Sequence, residues 1–250
     1  MTLGLLLTFG ASLHANAGLF GFGGTSWKEE VLLHDGSKII VERSVERGGR
    51  HPIGQEPAFK EQSLSFTMPG TNQTIQWEDH YSEDIGSSSF LPMLLDIEDG
   101  IIYLVADTMG CLSYNKWGRP NPPYVIFKYE NNAWARIPLQ ELPADIKSPN
   151  LVISTPDDVA KSSNGFLTAD MIRQANAGFR QPEYHTILRI PVSGPDSNTS
   201  CMNLVPDTKR GWYGIDWFTR RPTLDACLKE CRFLDVDDQH CPCNSLYKGK

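Results

Sequence analysis

Apolar and polar residues alternate with a period of two through much of the first 140 positions. Leu64, Phe66 and Met68, then Ile75 and Trp77, are each separated by polar residues, the pattern of a strand with one buried and one wet face. Four hairpins follow from this grammar. Trp27–Leu33 and Lys38–Arg43 flank Asp35-Gly36. Ser63–Met68 and Thr74–Glu78 flank the turn Pro69–Asn72. Pro92–Ile97 and Ile101–Ala106 flank Asp99-Gly100, and Tyr124–Tyr129 and Ala133–Ile137 flank Asn131-Asn132. Asp-Gly and Asn-Asn supply the positive φ angles of tight hairpin turns. The run Ile101–Ala106 has no polar side, which predicts a central strand covered on both faces. Paired two by two, the hairpins make four-stranded meanders of propeller-blade type. Two blades cannot close a ring, so the expected fold is mainly β, an antiparallel hairpin meander forming a sandwich or open barrel.

After Pro143 the pattern changes. Thr155-Pro156-Asp157-Asp158 reads as an N-cap, a first-turn proline and two early acids opening a short helix. Thr168 to Ala177, stopped by Gly178, predicts a second helix with Met171, Ile172 and Ala175 on one face. Tyr184 to Ile190 is expected to return to strand. Residues 193–200 read as a linker and 201–250 as a separate cysteine-rich tail, leaving 27–192 as the β-rich body.

At the other end, Leu3 to Leu13 is an apolar run closed by Ala15-Asn16-Ala17, the A-x-A pattern of a signal-peptidase site. Such a run spans roughly 16 Å as a helix, about half a bilayer, so residues 1–17 are expected to be a cleaved signal and not a membrane anchor. Residues 18–26 then form a flexible mature N-terminus, and the mature chain carries no membrane span.

Export changes how the cysteines read. Six are present, Cys111 alone and five between Cys201 and Cys243, and in an oxidising compartment they are disulfides first. Fifteen pairings are open. Thr223 as N-cap with Asp225 in the first turn places Cys227 and Cys231 on one helical face. Cys241 and Cys243, either side of Pro242, share a face if the backbone is extended. Antiparallel approach of the two pairs favours Cys227–Cys243 and Cys231–Cys241, which leaves Cys111 for Cys201. The alternative, a zinc site using these cysteines and His240, lacks a zinc-ribbon spacing; no metal and no cofactor are expected.

Composition narrows the partners. Thirty acidic residues against 23 basic give a net charge of −7, which excludes nucleic acid as the main partner. The 8 basic and 7 acidic residues of the tail leave the rest of the chain at −8. The segment Trp117-Gly-Arg-Pro-Asn-Pro-Pro-Tyr124, the run that follows it to Pro143, and the run from Trp27 to Ser44 resemble a group of uncharacterised exported proteins of proteobacteria. The resemblance covers residues 27–145. It implies a periplasmic or secreted setting and a β-rich body, and transfers no catalytic residue.

Chemistry-bearing motifs are sparse. The nearest approach to an acid–base constellation is Asp79 and His80 with His185, the basis for an alternative reading as an envelope hydrolase. The acidic groups Asp96, Glu98, Asp99 and Asp235, Asp237, Asp238 lack calcium-loop spacing. Recognition is better served. Trp117, Arg119 and Tyr124 bound a stiff, polyproline-like stretch. Trp212, Tyr213, Trp217 and Phe218 form either the core of the small tail, the preferred reading, or an exposed contact surface for an envelope protein or a glycan. The expectation is an exported binding or envelope-associated structural module.

Overall fold

The computed structural model describes residues 24–195 and 197–248. The expected signal, Met1–Ala17, lies outside them, as does most of the segment 18–26. Within that segment Thr25 and Ser26 already belong to the first strand, so the ordered body begins earlier than expected.

Both meanders form. Strands β1 (Thr25–Leu32), β2 (Lys38–Arg47), β3 (Phe59–Thr67) and β4 (Thr74–Asp79) make one antiparallel sheet; β5 (Phe90–Glu98), β6 (Ile101–Thr108), β7 (Tyr124–Glu130) and β8 (Ala133–Ile137) make the other. A short strand β9 (Phe166–Leu167) adds to the first sheet, parallel to β1. Neither sheet closes on itself. Instead they stack as a sandwich, with Val31, Val41, Leu64, Phe66, Ile75 and Trp77 of the first sheet packed against Phe90, Leu95, Leu104, Val125 and Phe127 of the second. Each such side chain fully removed from water contributes about 1.5–3 kcal/mol. The hairpin turns use the expected backbone: φ is 51° and 77° at Asp99 and Gly100, and 53° and 62° at Asn131 and Asn132. β6 is covered on both faces as expected, because Leu142, Ile146, Ile153 and Ile187 form a second layer over Tyr103, Val105 and Ile126.

One side of the sandwich is strapped shut. Asn150 donates from its side chain to the carbonyls of Leu32 on β1 (3.0 Å) and Leu95 on β5 (2.8 Å), and accepts from the Leu95 amide (2.9 Å), so one side chain joins the edges of both sheets. A bulge in β5 near Met93 turns that carbonyl outward to take the amides of Asn150 and Leu151. Next along the strap, Val152 donates to Glu29 Oε2 (3.1 Å) and accepts from Arg43 Nη1 (2.8 Å). Glu29 and Arg43 are both fully buried on the inner face and paired at 2.9 Å. Trp27 completes the set, donating to Glu29 Oε1 at 2.7 Å.

Several local expectations are corrected. Thr155 precedes helix α2 (Pro156–Ser162), but sits at φ 43° and makes no cap hydrogen bond. Thr168 does cap α3 (Ala169–Asn176) through the Met171 amide, at 3.3 Å. No strand forms over 184–190; a single 3-10 turn, Pro182–Tyr184, leads into irregular chain whose anchors are Tyr124 and Arg189. A helix the alternation did not show, α1 (Gly110–Lys116), fills the β6–β7 connection. The segment 193–200 is no free linker, since Asn198 donates to Asp107 and to Thr108.

The three disulfides pair as expected: Cys111–Cys201, Cys227–Cys243 and Cys231–Cys241. The route differs in one respect. Pro242 is helical in backbone angles and Cys243 opens the short helix α5 (Cys243–Leu246), so a tight turn and not an extended strand brings Cys241 and Cys243 to the face of α4 (Leu224–Phe233). Phe218, Val205, Leu234 and Val236 complete the tail's own core around these cysteines.

Candidate functional site

Opposite the strap, the free edges of the sandwich are β4 and β8. They are drawn together at one end, where Trp134 Nε1 donates to the Gln76 carbonyl (2.6 Å) and Gln73 reaches Asn132 (3.1 Å). Beyond that end the edges part into a groove of about 590 Å³. Strand alternation sets its floor. Trp77 points inward from β4, Phe127 from β7, and Trp134 and Arg136 from the same face of β8. Trp117, at the C-terminal cap of α1, supplies the far wall. That helix is seated by Ser113 Oγ donating to the Ser89 carbonyl at 2.6 Å. The rings form one continuous cluster: Trp77 to Phe127 5.9 Å, Phe127 to Phe90 5.2 Å edge-on, Phe90 to Trp117 4.6 Å.

The rim is polar and unevenly charged. His80 lies 2.7 Å from Glu61 and 3.6 Å from Glu78, and the Glu61 hydrogen bond holds its imidazole above the ordinary value, with burial acting against it. Across the groove, Arg136 lies over the Trp117 ring at 5.6 Å and donates to the Trp117 carbonyl at 3.0 Å. Among the described residues no carboxylate pairs with it. The Trp117 indole nitrogen is buried and has no acceptor.

A second cavity, about 510 Å³, lies on the outer face of the second sheet beside Pro120, Pro122, Pro138 and Pro191. Three of its polar side chains, Asn121, Tyr124 and Arg189, are already used. Arg189 donates to the carbonyls of Leu139, Leu142, Pro143 and Ile146, and Asn121 exchanges two hydrogen bonds with Val192. The groove between β4 and β8 sets spare hydrogen-bonding capacity beside flat apolar walls, the combination that orients a ligand.

The structure sorts the residues singled out from sequence. Trp117 and His80 line the groove. Asp79 does not: it shares the inner face of β4 with Trp77, opposite to Glu78, and is buried there, accepting from Gln62 (2.9 Å) and from the amides of Ser89 (2.7 Å) and Phe90 (2.8 Å). His185 bonds to the Phe179 carbonyl in the covering layer, so Asp79, His80 and His185 are not brought together as an acid–base set. Arg119, itself at φ 54°, is no part of a polyproline run; it clamps the tail by donating to the carbonyls of Cys201 (2.7 Å) and Met202 (2.9 Å). Tyr124 is buried and donates to the Glu183 carbonyl at 3.0 Å. Of the tail aromatics, Phe218 is fully buried, Trp212 donates to the Asp84 carbonyl of the body (2.8 Å), and Tyr213 packs at the tail core against Trp217, the one left exposed. Trp77, Phe127, Trp134, Glu78 and Arg136 were missed as site residues. Their inward register was legible, but not which two edges would face each other.

Two further polar clusters are structural. Ser82 and Asp84 bind the Lys116 ammonium, an ion pair at the body–tail junction with no hydroxyl left poised against a free base. Cys231, Cys241 and Cys243 lie within 4.8 Å of one another but are spent in disulfides.

Two buried carboxyls carry a pH prediction. Burial pushes Asp79 up to about 6, against the pull of its three N–H donors. Burial pushes Asp107 up to about 6 as well, against hydrogen bonds from Tyr184, Thr108 and Asn198. A raised carboxyl binds its proton more tightly folded than unfolded, so stability is highest below pH 3.8 for these groups and falls as pH rises through 6. Each contributes up to about 3 kcal/mol of that fall. Urea denaturation of Asp79→Asn and Asp107→Asn at pH 4 and pH 7 is expected to show a smaller difference between the two pH values than in the parent chain. An unchanged difference removes the assignment.

Fold and groove together define the chain's class: a two-sheet antiparallel β-sandwich, strapped along one side and aromatic-floored along the other, with a disulfide-bonded C-terminal subdomain. Comparison with protein-family models, with curated proteins and with solved structures gives no match. Among the described residues no helix is long and apolar enough to cross a membrane.

Proposed function

We propose that this protein is an exported binding module whose ligand site is the groove between β4 and β8. One observation carries the reading. Three tryptophans and a phenylalanine meet an unpaired guanidinium and a carboxylate–imidazole pair where β4 and β8 part. A fold that only needed stability would close this side as it closes the other. Export is supported by the leader-like Met1–Ala17, by three disulfides with no free cysteine among the described residues, and by the resemblance of residues 27–145 to exported proteobacterial proteins.

The test reads the indole N–H signals of a ¹⁵N-labelled full chain against a library of small neutral fragments. Fragment shifts are expected to concentrate on Trp77, Trp117 and Trp134, which line the groove, and to spare Trp27 and Trp212, which do not. Shifts concentrated on exposed Trp217, or none at all, overturn the groove assignment. The N-terminus of the chain recovered from the envelope fraction is expected to be Gly18; an intact Met1 ends the export reading.

A further inference from the structure

We infer that the two disulfides of the tail form one thiol-exchange site, at which an incoming thiol is captured on Cys241 and the displaced bond passes to Cys231 and Cys243. Two observations carry it. The first is a contact between bridges. Cys231 Sγ lies 3.5 Å from Cys243 Sγ although each is bonded to a different partner, and the sulfurs of Cys231, Cys241 and Cys243 fall within 4.8 Å of one another. The second is a difference in access. Cys227, Cys231 and Cys243 are buried, whereas Cys241 is half-buried, so an external thiolate enters this pair of bridges at Cys241.

The exchange balances with that thiol as its one co-reactant. The incoming thiolate attacks Cys241 Sγ; a bond forms between them, the Cys231–Cys241 bond breaks, and its electron pair leaves on Cys231. The Cys231 thiolate then stands 3.5 Å from the next disulfide. It attacks Cys243 Sγ; Cys231–Cys243 forms, Cys227–Cys243 breaks, and Cys227 leaves with the electron pair and takes a proton from water. Net, the hydrogen of the incoming thiol ends on Cys227. That residue is fully buried in the tail core with Phe218, Val205 and Leu234, where a neutral thiol packs as a small apolar side chain. Passing the bond on also removes Cys231 as the thiolate that would expel the newcomer, so the mixed disulfide at Cys241 persists.

Cys111–Cys201 is the internal contrast. Cys111 is exposed, and among the described residues no third sulfur groups with this bridge. Attack there leaves a thiolate on Cys201 with no second bridge to receive it. Exposure by itself predicts reaction at Cys111; the contact between bridges predicts a free thiol at Cys227.

The test incubates the folded full chain with reduced glutathione as the small thiol, or with thioredoxin lacking its second active-site cysteine as the protein thiol. Free thiols are then alkylated and the tryptic peptides mapped without reduction, cleavage at Lys229 separating Cys227 from Cys231. Chains carrying the thiol on Cys241 are expected to show an alkylated Cys227 and a Cys231–Cys243 bridge. Capture of glutathione supports a site open to small thiols, and capture of thioredoxin alone supports one that needs a protein partner. The same adduct with Cys231 alkylated and Cys227–Cys243 intact overturns the inference, as does a Cys241 that neither thiol enters. A second measurement needs no external thiol. Cys241→Ser leaves Cys231 as a thiol beside the Cys227–Cys243 bridge, and alkylation of the folded variant is expected to divide between Cys231 and Cys227. Label confined to Cys231 overturns the inference.

Discussion

Arg43→Met is expected to cost about 3–5 kcal/mol, the range for stripping one partner from a buried ion pair. For a chain of this size that is a drop in Tm of roughly 6–20 °C. Glu29, fully buried, would lose its paired cation and Val152 O the Arg43 donor. The usual remedy, replacing both charges by apolar groups, is expected to fail here. Trp27 Nε1 and the Val152 amide both depend on Glu29 as acceptor, so an apolar pair leaves two donors orphaned. Glu29→Gln with Arg43→Met removes the buried charge and keeps a carbonyl oxygen for one of these two donors, and is expected to recover part of the loss. Urea denaturation at pH 7 of both single variants and the double variant decides it. A loss below about 1 kcal/mol for Arg43→Met would show that Glu29 finds water or a proton instead.

The second large effect lies in the tail. Cys227→Ala with Cys243→Ala is expected to cost about 2–5 kcal/mol and to unfold the tail alone. Both cysteines sit in a small core with Phe218, Val205 and Leu234 that includes no side chain of the sandwich. Body and tail meet elsewhere, through Cys111–Cys201, Arg119, Asn115 and Trp212 on α1 and the Asp84 turn. Limited proteolysis should therefore cut within 201–248 and leave the sandwich whole. Simultaneous loss of both parts would mean that they fold as one unit.

How far this was legible in the sequence differs between the two layers of the problem. Period-two alternation and the Asp-Gly and Asn-Asn turns suffice to draw eight strands in two meanders, because they are local signals with fixed geometry. The disulfide pairs were legible from helical spacing at Cys227 and Cys231, although the turn at Pro242 was not. The groove was half visible. Trp117 and His80 stood out as residue types, whereas Trp77, Trp134 and Arg136 looked like ordinary sheet positions until β4 and β8 were set edge to edge. Glu29 and Arg43 were hidden for a related reason. They fall in register with Val31 and Val41, yet charge alone assigns them to the wet face. Only the arrival of Val152 from more than a hundred positions away makes burial tolerable. Helix α1 escaped notice because seven residues, opened by glycine and interrupted by Cys111, carry too little periodicity to register.

The strap at Asn150 also determines where the two sheets can separate. Like the boards of a book, they are bound along one margin by side chains that reach both covers. At the fore-edge they are held chiefly by Trp134 on Gln76 and by the Gln73–Asn132 contact between turns. Any splaying of the sandwich is then a rotation about the spine, felt least at Asn150 and most between β4 and β8. Splaying would then show first as a change in the width of the groove, and an occupant bridging Trp117 to Trp134 would act as its clasp.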